Sequence, residues 1–221
     1  MKNEKPGDWH SEKKEIPVKE WQDRFNWVEE PSVSPDGEKI ASIVNTDEAQ
    51  FSVCMNGEIW EETFEKAWCL RFLPDGRLAV LASNEEEWTV CVDGTFWETR
   101  FDYIWDFQFT PDGSFMGAAV QKDGQYGMCV NDRMWDELYD NISGVVLSCQ
   151  GTSAAIVQVE PLGQADIEGF SRGIFSIAVD GIAQPENFMN IWDLSFDSKG
   201  KQVASSIRKN RIDYSISKNG Q

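Results

Sequence analysis

The chain of 221 residues is 41% hydrophobic, which is enough to bury a core in one all-β domain. Its 38 Asp and Glu against 20 Lys and Arg give a formal net charge of -18, which argues against nucleic acid and anionic lipid surfaces as partners. Five cysteines without a Cys-x-x-Cys pair, and His10 as the single histidine, argue against metal centres, attached haem and histidine-based catalysis.

The N-terminal segment differs from the rest of the chain. Residues 1–18 are polar and of mixed charge, so we predict a flexible tail there and a single domain over residues 19–221. The tail has no apolar region of a signal peptide, and no stretch approaches the roughly 20 apolar residues of a spanning helix, so we predict a cytoplasmic protein. Trp9 lies in the tail and is a candidate partner contact.

An internal repeat governs the remaining sequence. Its first marker is a Trp with an aromatic residue four positions later, found in the segments Trp21–Phe25, Trp60–Phe64, Trp97–Phe101 and Trp135–Tyr139. Its second marker is a Pro-Asp-Gly turn or an equivalent, which places in register Gly37, Gly76, Gly113, Gly151 and Gly200. Its third marker is a turn of the Asn-Gly or Asp-Gly type at residues 56–57, 93–94, 131–132, 180–181 and 219–220.

These markers predict the fold class. Asn, Asp and Gly tolerate the positive φ of tight hairpin turns, so two turns in each unit predict four antiparallel strands, a to d in chain order. In the second unit we expect them at 69–73, 78–82 and 88–92, with strand d beginning near Phe96. Five such units of about 40 residues predict an all-β, five-bladed β-propeller of four-stranded antiparallel blades.

The two ends of the chain complement each other. Trp21–Phe25 repeats the Trp-to-aromatic spacing with no strands before it, whereas the last unit ends before any strand d. We therefore expect an N-terminal strand over this segment to complete the last blade, which is how propellers hide their edge strands.

The cysteines of strand c are better explained by packing than by ligation. Cys54, Cys91 and Cys129 recur at one position, where the fourth and fifth units have Ala178 and Ser217. A position that accepts Cys, Ala and Ser requires a small side chain, so we predict no metal and no cofactor there.

Carboxylates on strand a supply an enzymatic alternative. Glu30, Asp106 and Asp193 occupy equivalent positions in three units, and five-bladed glycosidases use acids that converge on the central channel. The other two units have Cys69 and Gly144 there, which favours a structural role. We find no catalytic motif and predict that the chain is not an enzyme.

Two further regions are candidate partner contacts. Trp88 follows three glutamates in the hairpin between strands b and c and lies outside the Trp repeat. The fourth unit contains about ten additional residues in a loop that includes Pro161, Leu162, Phe170 and Arg172. A long loop on a rigid scaffold often binds partners, although a tolerated insertion explains it equally well.

The turn motifs also carry a resemblance. The Pro-Asp-Gly turns at 35–37, 74–76 and 111–113 resemble those of WD40-like propellers. More narrowly, Val-Asp-Gly at 92–94 before Trp97 and Val-Asn at 130–131 before Trp135 resemble the TmcD family. Its members are tryptophan-rich cytoplasmic subunits of transmembrane electron-transfer complexes in sulfate-reducing bacteria.

The resemblance implies a non-catalytic scaffold subunit without a redox centre or cofactor of its own. It also implies cytochrome and iron–sulfur subunits as partners, which would hold the chain at the inner membrane on the cytoplasmic side. Two alternatives stay open: a glycosidase-like enzyme that uses Glu30, Asp106 and Asp193, and a lectin-like propeller that binds small ligands.

Overall fold

The computed structural model describes residues 16–161 and 166–220. They belong to two compact units that adjoin in sequence between Arg100 and Phe101. Of the predicted tail, residues 1–15 with Trp9 lie outside the described residues, and so does Leu162 of the fourth unit.

The first of these two compact units, which comprises the first two repeats, contains two antiparallel sheets. Helix α1, Lys19–Arg24, precedes the first sheet, whose strands are β1 Trp27–Val28, β2 Ser32–Val33, β3 Ile40–Asp47, β4 Gln50–Met55 and β5 Glu58–Ile59. The second sheet consists of β6 Lys66–Phe72, β7 Leu78–Asn84, β8 Glu87–Val92 and β9 Thr95–Phe96.

The second compact unit, which comprises the last three repeats, contains three antiparallel sheets. The third sheet consists of β10 Tyr103–Phe109, β11 Met116–Lys122, β12 Gln125–Val130 and β13 Arg133–Met134. The fourth consists of β14 Ile142–Leu147, β15 Ser153–Gln158, β16 Phe175–Val179 and β17 Ile182–Ala183, with helix α2 Ile167–Arg172 between β15 and β16. The fifth consists of β18 Asn190–Phe196, β19 Val203–Arg208 and β20 Tyr214–Lys218.

The predicted fold class is confirmed. The second to fifth sheets are antiparallel meanders, in which strands that follow one another along the chain pair side by side, as in a propeller blade. In the first sheet, β1 and β2 both pair with β3, and the meander continues through β4 and β5. Each strand of the second blade begins and ends within three residues of the bounds predicted for it. The five sheets correspond to the five sequence repeats. The fold is an all-β, five-bladed β-propeller, with two blades in the first unit and three in the second.

The predicted N-terminal strand is wrong. Trp21–Phe25 forms helix α1 and its C-terminal cap, and the next strand, β1, pairs with β3 in the first blade. Two aromatic residues four positions apart lie on one face of a helix, so Trp21 and Phe25 pack together with Val44 and Cys54 in one cluster. Both are buried, at 3% and 8% exposure, which favours the helical turn.

The packing of Trp21 nevertheless follows the repeat. Its indole lies beside the Gly57 turn of the first blade, as the Trp135 indole lies beside the Gly181 turn of the fourth. The same two clusters contain the equivalent strand-c residues Cys54 and Ala178. The Trp-to-aromatic spacing therefore predicts which surface the residue covers, although it does not determine the backbone conformation.

Candidate functional site

Strand a bulges at the positions of the predicted carboxylates. Its pairing with strand b shifts register between Trp105 and Gln108 and at the equivalent place in the other blades after the first. The residue inside each bulge has a positive φ: 58° at Cys69, 50° at Asp106, 57° at Gly144 and 53° at Asp193. In the first blade, Glu30 lies in the break between β1 and β2.

This bulge explains the residue types. Gly and Asp tolerate a positive φ better than most residues do, so the position selects them without any requirement for catalysis. Asp106 and Asp193 hydrogen-bond within their own blades: Gln108 Nε2 donates to Asp106 at 3.2 Å, and Ser206 Oγ donates to Asp193 at 3.2 Å. In the described part of the chain, no group of three His, Cys, Asp or Glu side chains is placed to hold a metal ion.

The small residues of strand c are all fully buried, as the repeat predicts: Cys54, Cys91, Cys129, Ala178 and Ser217 are at 0% exposure. Burial raises the pKa of the Cys91 and Cys129 thiols to about 12 and raises that of Cys54. These thiols are therefore protonated and weakly reactive near neutral pH.

The insertion of the fourth blade contains a short helix. Asp166 caps α2 by accepting a hydrogen bond from the Gly169 amide at 2.7 Å. Of the predicted contact residues, Phe170 is half-buried, whereas Pro161 and Arg172 are exposed. The composition did not reveal this helix, because only Asp166 marks its start.

Trp88 belongs to a second aromatic repeat, which differs from the Trp-to-aromatic spacing. An aromatic residue stands three positions before the small strand-c residue in every blade: Phe51, Trp88, Tyr126, Phe175 and Tyr214. Trp88 is accordingly half-buried in strand β8 and is not in a free hairpin. The spacing to the small residue was the signal that would have revealed this row.

Three residues of this row, Phe51, Tyr126 and Phe175, exchange backbone hydrogen bonds with the aromatic residue that follows strand d. Phe51 and Phe64 each donate their N–H to the other's carbonyl at 2.8 Å, and the pair Tyr126 and Tyr139 does the same at 2.8 and 2.9 Å. Two residues after Phe51, the Val53 carbonyl accepts the Trp60 N–H at 2.9 Å.

A strand-c hydroxyl group adds to this attachment. Ser52 Oγ donates to the Glu62 carbonyl at 2.9 Å, and Ser176 Oγ donates to the Gln184 carbonyl at 2.8 Å. Thr89 occupies the same position in the second blade, where its hydroxyl lies 3.0 Å from the Thr99 carbonyl. The hydroxyl contact is therefore shared by the first, second and fourth blades, whereas the third blade has Gly127 at this position and is attached through the backbone.

The last blade retains the aromatic residue and the hydroxyl group of strand c, and its sheet has three strands among the described residues. Among residues 190–220, β20 pairs with β19 alone. By the register of the repeat, Tyr214, Ser215 and Ile216 stand where Phe51, Ser52 and Val53 stand in the first blade. Ile216 is 75% exposed, whereas its counterparts are at 0%: Val53, Val90, Met128 and Ile177.

The outer face of this blade combines apolar and basic groups. Trp192 stacks on Tyr214 with ring centroids 6.3 Å apart, and the Arg208 guanidinium lies 5.4 Å from the Tyr214 ring centroid. Trp192 and Tyr214 are exposed at 42% and 62%. We call the surface formed by Trp192, Arg208, Tyr214, Ile216 and Lys218 the outer face of the last blade.

The charge of the last blade is opposite to that of the whole chain. Residues 190–220 contain Lys199, Lys201, Arg208, Lys209, Arg211 and Lys218 against Asp193, Asp197 and Asp213. One of these cations, Lys209, pairs with Glu186 of the fourth blade at 3.4 Å. The net charge of -18 is therefore not spread evenly over the chain, and this blade is basic.

No known protein family matches the chain, and no curated protein matches it either. The similarities that exist are to solved structures. The propeller domain of the Trilobed protease from Pyrococcus furiosus is 14% identical, with 88% of this chain and 68% of that one covered and a TM-score of 0.49. TolB from Acinetobacter baumannii is 17% identical, with 87% and 52% covered and a TM-score of 0.39.

An acylaminoacyl peptidase is 12% identical, with 89% of this chain and 38% of that one covered and a TM-score of 0.45. At such identities the likeness concerns the fold alone. The prediction that the chain is not an enzyme does not stand, because propellers similar in fold occur in a protease and a peptidase, so the fold gives no ground for it. Within the described residues, no helix is long and apolar enough to cross a membrane.

Proposed function

We propose that the chain is a propeller scaffold that binds a partner protein through the outer face of its last blade. The observation that carries this proposal is the exposed stack of Trp192, Tyr214 and Arg208 next to Ile216. Trp, Tyr and Arg are the residue types that dominate binding energy at protein interfaces. An apolar surface that other blades bury, left exposed here, is typical of an interaction site.

The finer part of the proposal concerns the assembly. We propose that the partner is a subunit of a membrane-associated electron-transfer complex, on the cytoplasmic side. The tryptophan-rich repeat and its Val-Asp-Gly segments support this, by resemblance to the subunits of such complexes. In this role the chain organises cytochrome and iron–sulfur subunits through protein contacts.

An affinity purification from a native membrane extract tests the proposal. Three tagged full-length proteins are compared: the wild type, a Tyr214→Ser variant, and a Tyr103→Ser variant as control, since Tyr103 is also exposed, at 44%, on a different blade. Visible spectra and mass spectrometry identify the eluted proteins. We expect cytochrome and iron–sulfur proteins to elute with the wild type and the control, and to be lost with Tyr214→Ser.

Two results overturn the proposal at different levels. Elution of a protein without a redox cofactor, lost only with Tyr214→Ser, would retain the scaffold and reject the electron-transfer assembly. An eluate that is the same for the wild type and Tyr214→Ser would reject the outer face as the binding surface.

A further inference from the structure

We propose that the unpaired edge of β20 binds an acidic, extended segment of the partner protein, which adds to the last blade as its fourth strand. This inference rests on the proposed role as a scaffold and names the chemistry of what it binds. Addition of a strand to an exposed sheet edge is an established mode of peptide recognition, in which backbone hydrogen bonds give affinity and side chains give specificity.

The backbone of β20 has the register for this addition. Phe175 and Phe188 exchange two backbone hydrogen bonds at 3.1 and 2.8 Å in the fourth blade, and Gln184 N–H donates to the Ile177 carbonyl at 2.9 Å. Tyr214 and Ile216 occupy the positions of Phe175 and Ile177. Because antiparallel strands direct alternate backbone groups to each side, these two residues direct theirs to the open edge.

The side chains of β20 repeat the attachment as well. Ser215 takes the place of Ser176, whose hydroxyl donates to the Gln184 and Glu186 carbonyls at 2.8 and 3.0 Å. The turn after β20 has Asn219, whose carboxamide Oδ1 accepts the Val203 N–H at 3.0 Å, as turn residues do in the other blades. The last blade is therefore built to hold a fourth strand.

Charge identifies the kind of strand. The segments that fill this position in the other blades are rich in acids: Glu61-Glu62, Glu98, Asp136-Glu137 and Glu186. Arg208, Arg211 and Lys218 lie on or next to the open strand and its outer face. The acids there are Asp213 and Asp193, and the latter accepts a hydrogen bond from Ser206, so the described groups of this face remain basic on balance. An acidic strand would gain attraction there, whereas a second copy of the same basic face would be repelled.

The chain's own remaining Trp-to-aromatic segment is not an extended strand. Trp21–Phe25 lies in helix α1 and its C-terminal cap, and its single Asp and Arg balance each other. The N–H and C=O groups of a helix point along its axis, so this segment lacks the alternating row of backbone groups with which a strand would pair with β20.

A peptide with the sequence of residues 57–65 supplies the probe, since it contains an acidic strand-d segment. Fluorescence anisotropy measures its binding to the full-length protein. We expect saturable binding that weakens at least about tenfold when the four glutamates of the peptide are replaced by lysines. We expect a similar loss when the peptide is N-methylated at the residues equivalent to Trp60 and Phe64, whose N–H groups face strand c, but not at Ile59.

Protein variants locate the site. Ile216→Asp should weaken peptide binding at least about tenfold, because an acid then faces the acidic strand in place of an apolar contact. Ile182→Asp is the matched control, because Ile182 is also exposed, at 70%, but lies on β17 of the fourth blade. Deletion of residues 1–15 should leave the peptide affinity unchanged.

The outcomes separate this inference from the proposed function. Loss of the membrane partner with Tyr214→Ser, together with no peptide binding, would reject strand addition and leave the scaffold role standing. Equal binding of the acidic and lysine peptides would reject the charge argument. A rise in affinity on deletion of 1–15 would identify the tail as the occupant, and a dimer dispersed by Ile216→Asp in light scattering would identify a second copy.

Discussion

The bulge of strand a is best tested at Asp193, where structural and catalytic explanations diverge. Replacement with Gly removes the carboxylate but keeps a residue that readily adopts the φ of 53° found there. Replacement with Val also removes the carboxylate, but introduces a β-branched side chain that disfavours this conformation strongly. The two variants thus separate the backbone requirement from the chemistry of the acid.

The magnitude follows from the backbone. The left-handed region costs an ordinary L-residue roughly 1–2 kcal/mol, and Asp193 already bears part of that cost. Both variants lose the 3.2 Å hydrogen bond from Ser206, so it cancels in the comparison. We expect the free energy of unfolding of Asp193→Val to be about 1–2 kcal/mol below that of Asp193→Gly, with Asp193→Gly close to the wild type.

Urea unfolding followed by tryptophan fluorescence measures this difference. Ser195→Val serves as the control, because Ser195 is exposed on the same strand and pairs regularly with Ala204. We expect it to change stability by less than about 0.5 kcal/mol. If Asp193→Val were no less stable than Asp193→Gly, the bulge would not be what selects the residue, and a functional role for the acid would need to be reconsidered.

Three further predictions concern single polar groups. Ser217→Ala should raise the free energy of unfolding by about 1 kcal/mol in urea, because the buried Ser217 hydroxyl has no hydrogen-bond partner among the described residues. Tyr139→Phe should lower it by about 1–2 kcal/mol, because the Tyr139 hydroxyl donates to the Gly181 carbonyl at 2.7 Å in a buried position. Asp112 should titrate near pH 2 by NMR, because the Thr110 hydroxyl bond holds its pKa at about 2, below the ordinary 3.8.

Each of these has a contrary result. A less stable Ser217→Ala would mean that the hydroxyl is satisfied, and an unchanged Tyr139→Phe would mean that its hydrogen bond contributes nothing net. For Asp112 the folded pKa lies below the unfolded one, so its stabilisation is complete above about pH 4 and is lost as the pH falls towards 2. A titration midpoint at the ordinary 3.8 would refute the turn hydrogen bond.

The strands were predictable because turn chemistry is local. Asn, Asp and Gly at 56–57, 93–94 and 180–181 adopt the positive φ that the hairpins require, whatever the rest of the chain does. The burial of the small residues Cys54 and Ala178 was predictable as well, because equivalent positions of a repeat leave a similar space for the side chain.

The helix at Trp21–Phe25 was not predictable from the repeat. The spacing of four suits one face of a helix as well as the edge of a blade, so the same two aromatic residues serve either backbone. The bulge of strand a, with its left-handed backbone conformation, could not be predicted for another reason. The residues Asp106, Cys69 and Gly144 share a positive φ, and the periodicity of a sequence does not reveal a φ value. Asp suits both a backbone position with a positive φ and a catalytic site. Only the register shift seen in the structure favours the backbone explanation.

The last blade resembles the fourth blade at the strand edge of β20 but differs from it in the residues of its outer face. Its edge retains Tyr214 and Ser215, whose counterparts Phe175 and Ser176 attach the fourth strand in the fourth blade. Its outer face has replaced Ile156 and Val179 of the fourth blade with Ser206 and Lys218. The Ser206 hydroxyl already donates to Asp193, whereas burying Lys218 against a purely apolar neighbour would be costly. A surface that keeps its strand register but exchanges apolar groups for polar ones is therefore suited to a strand that brings hydrogen-bond acceptors and negative charge.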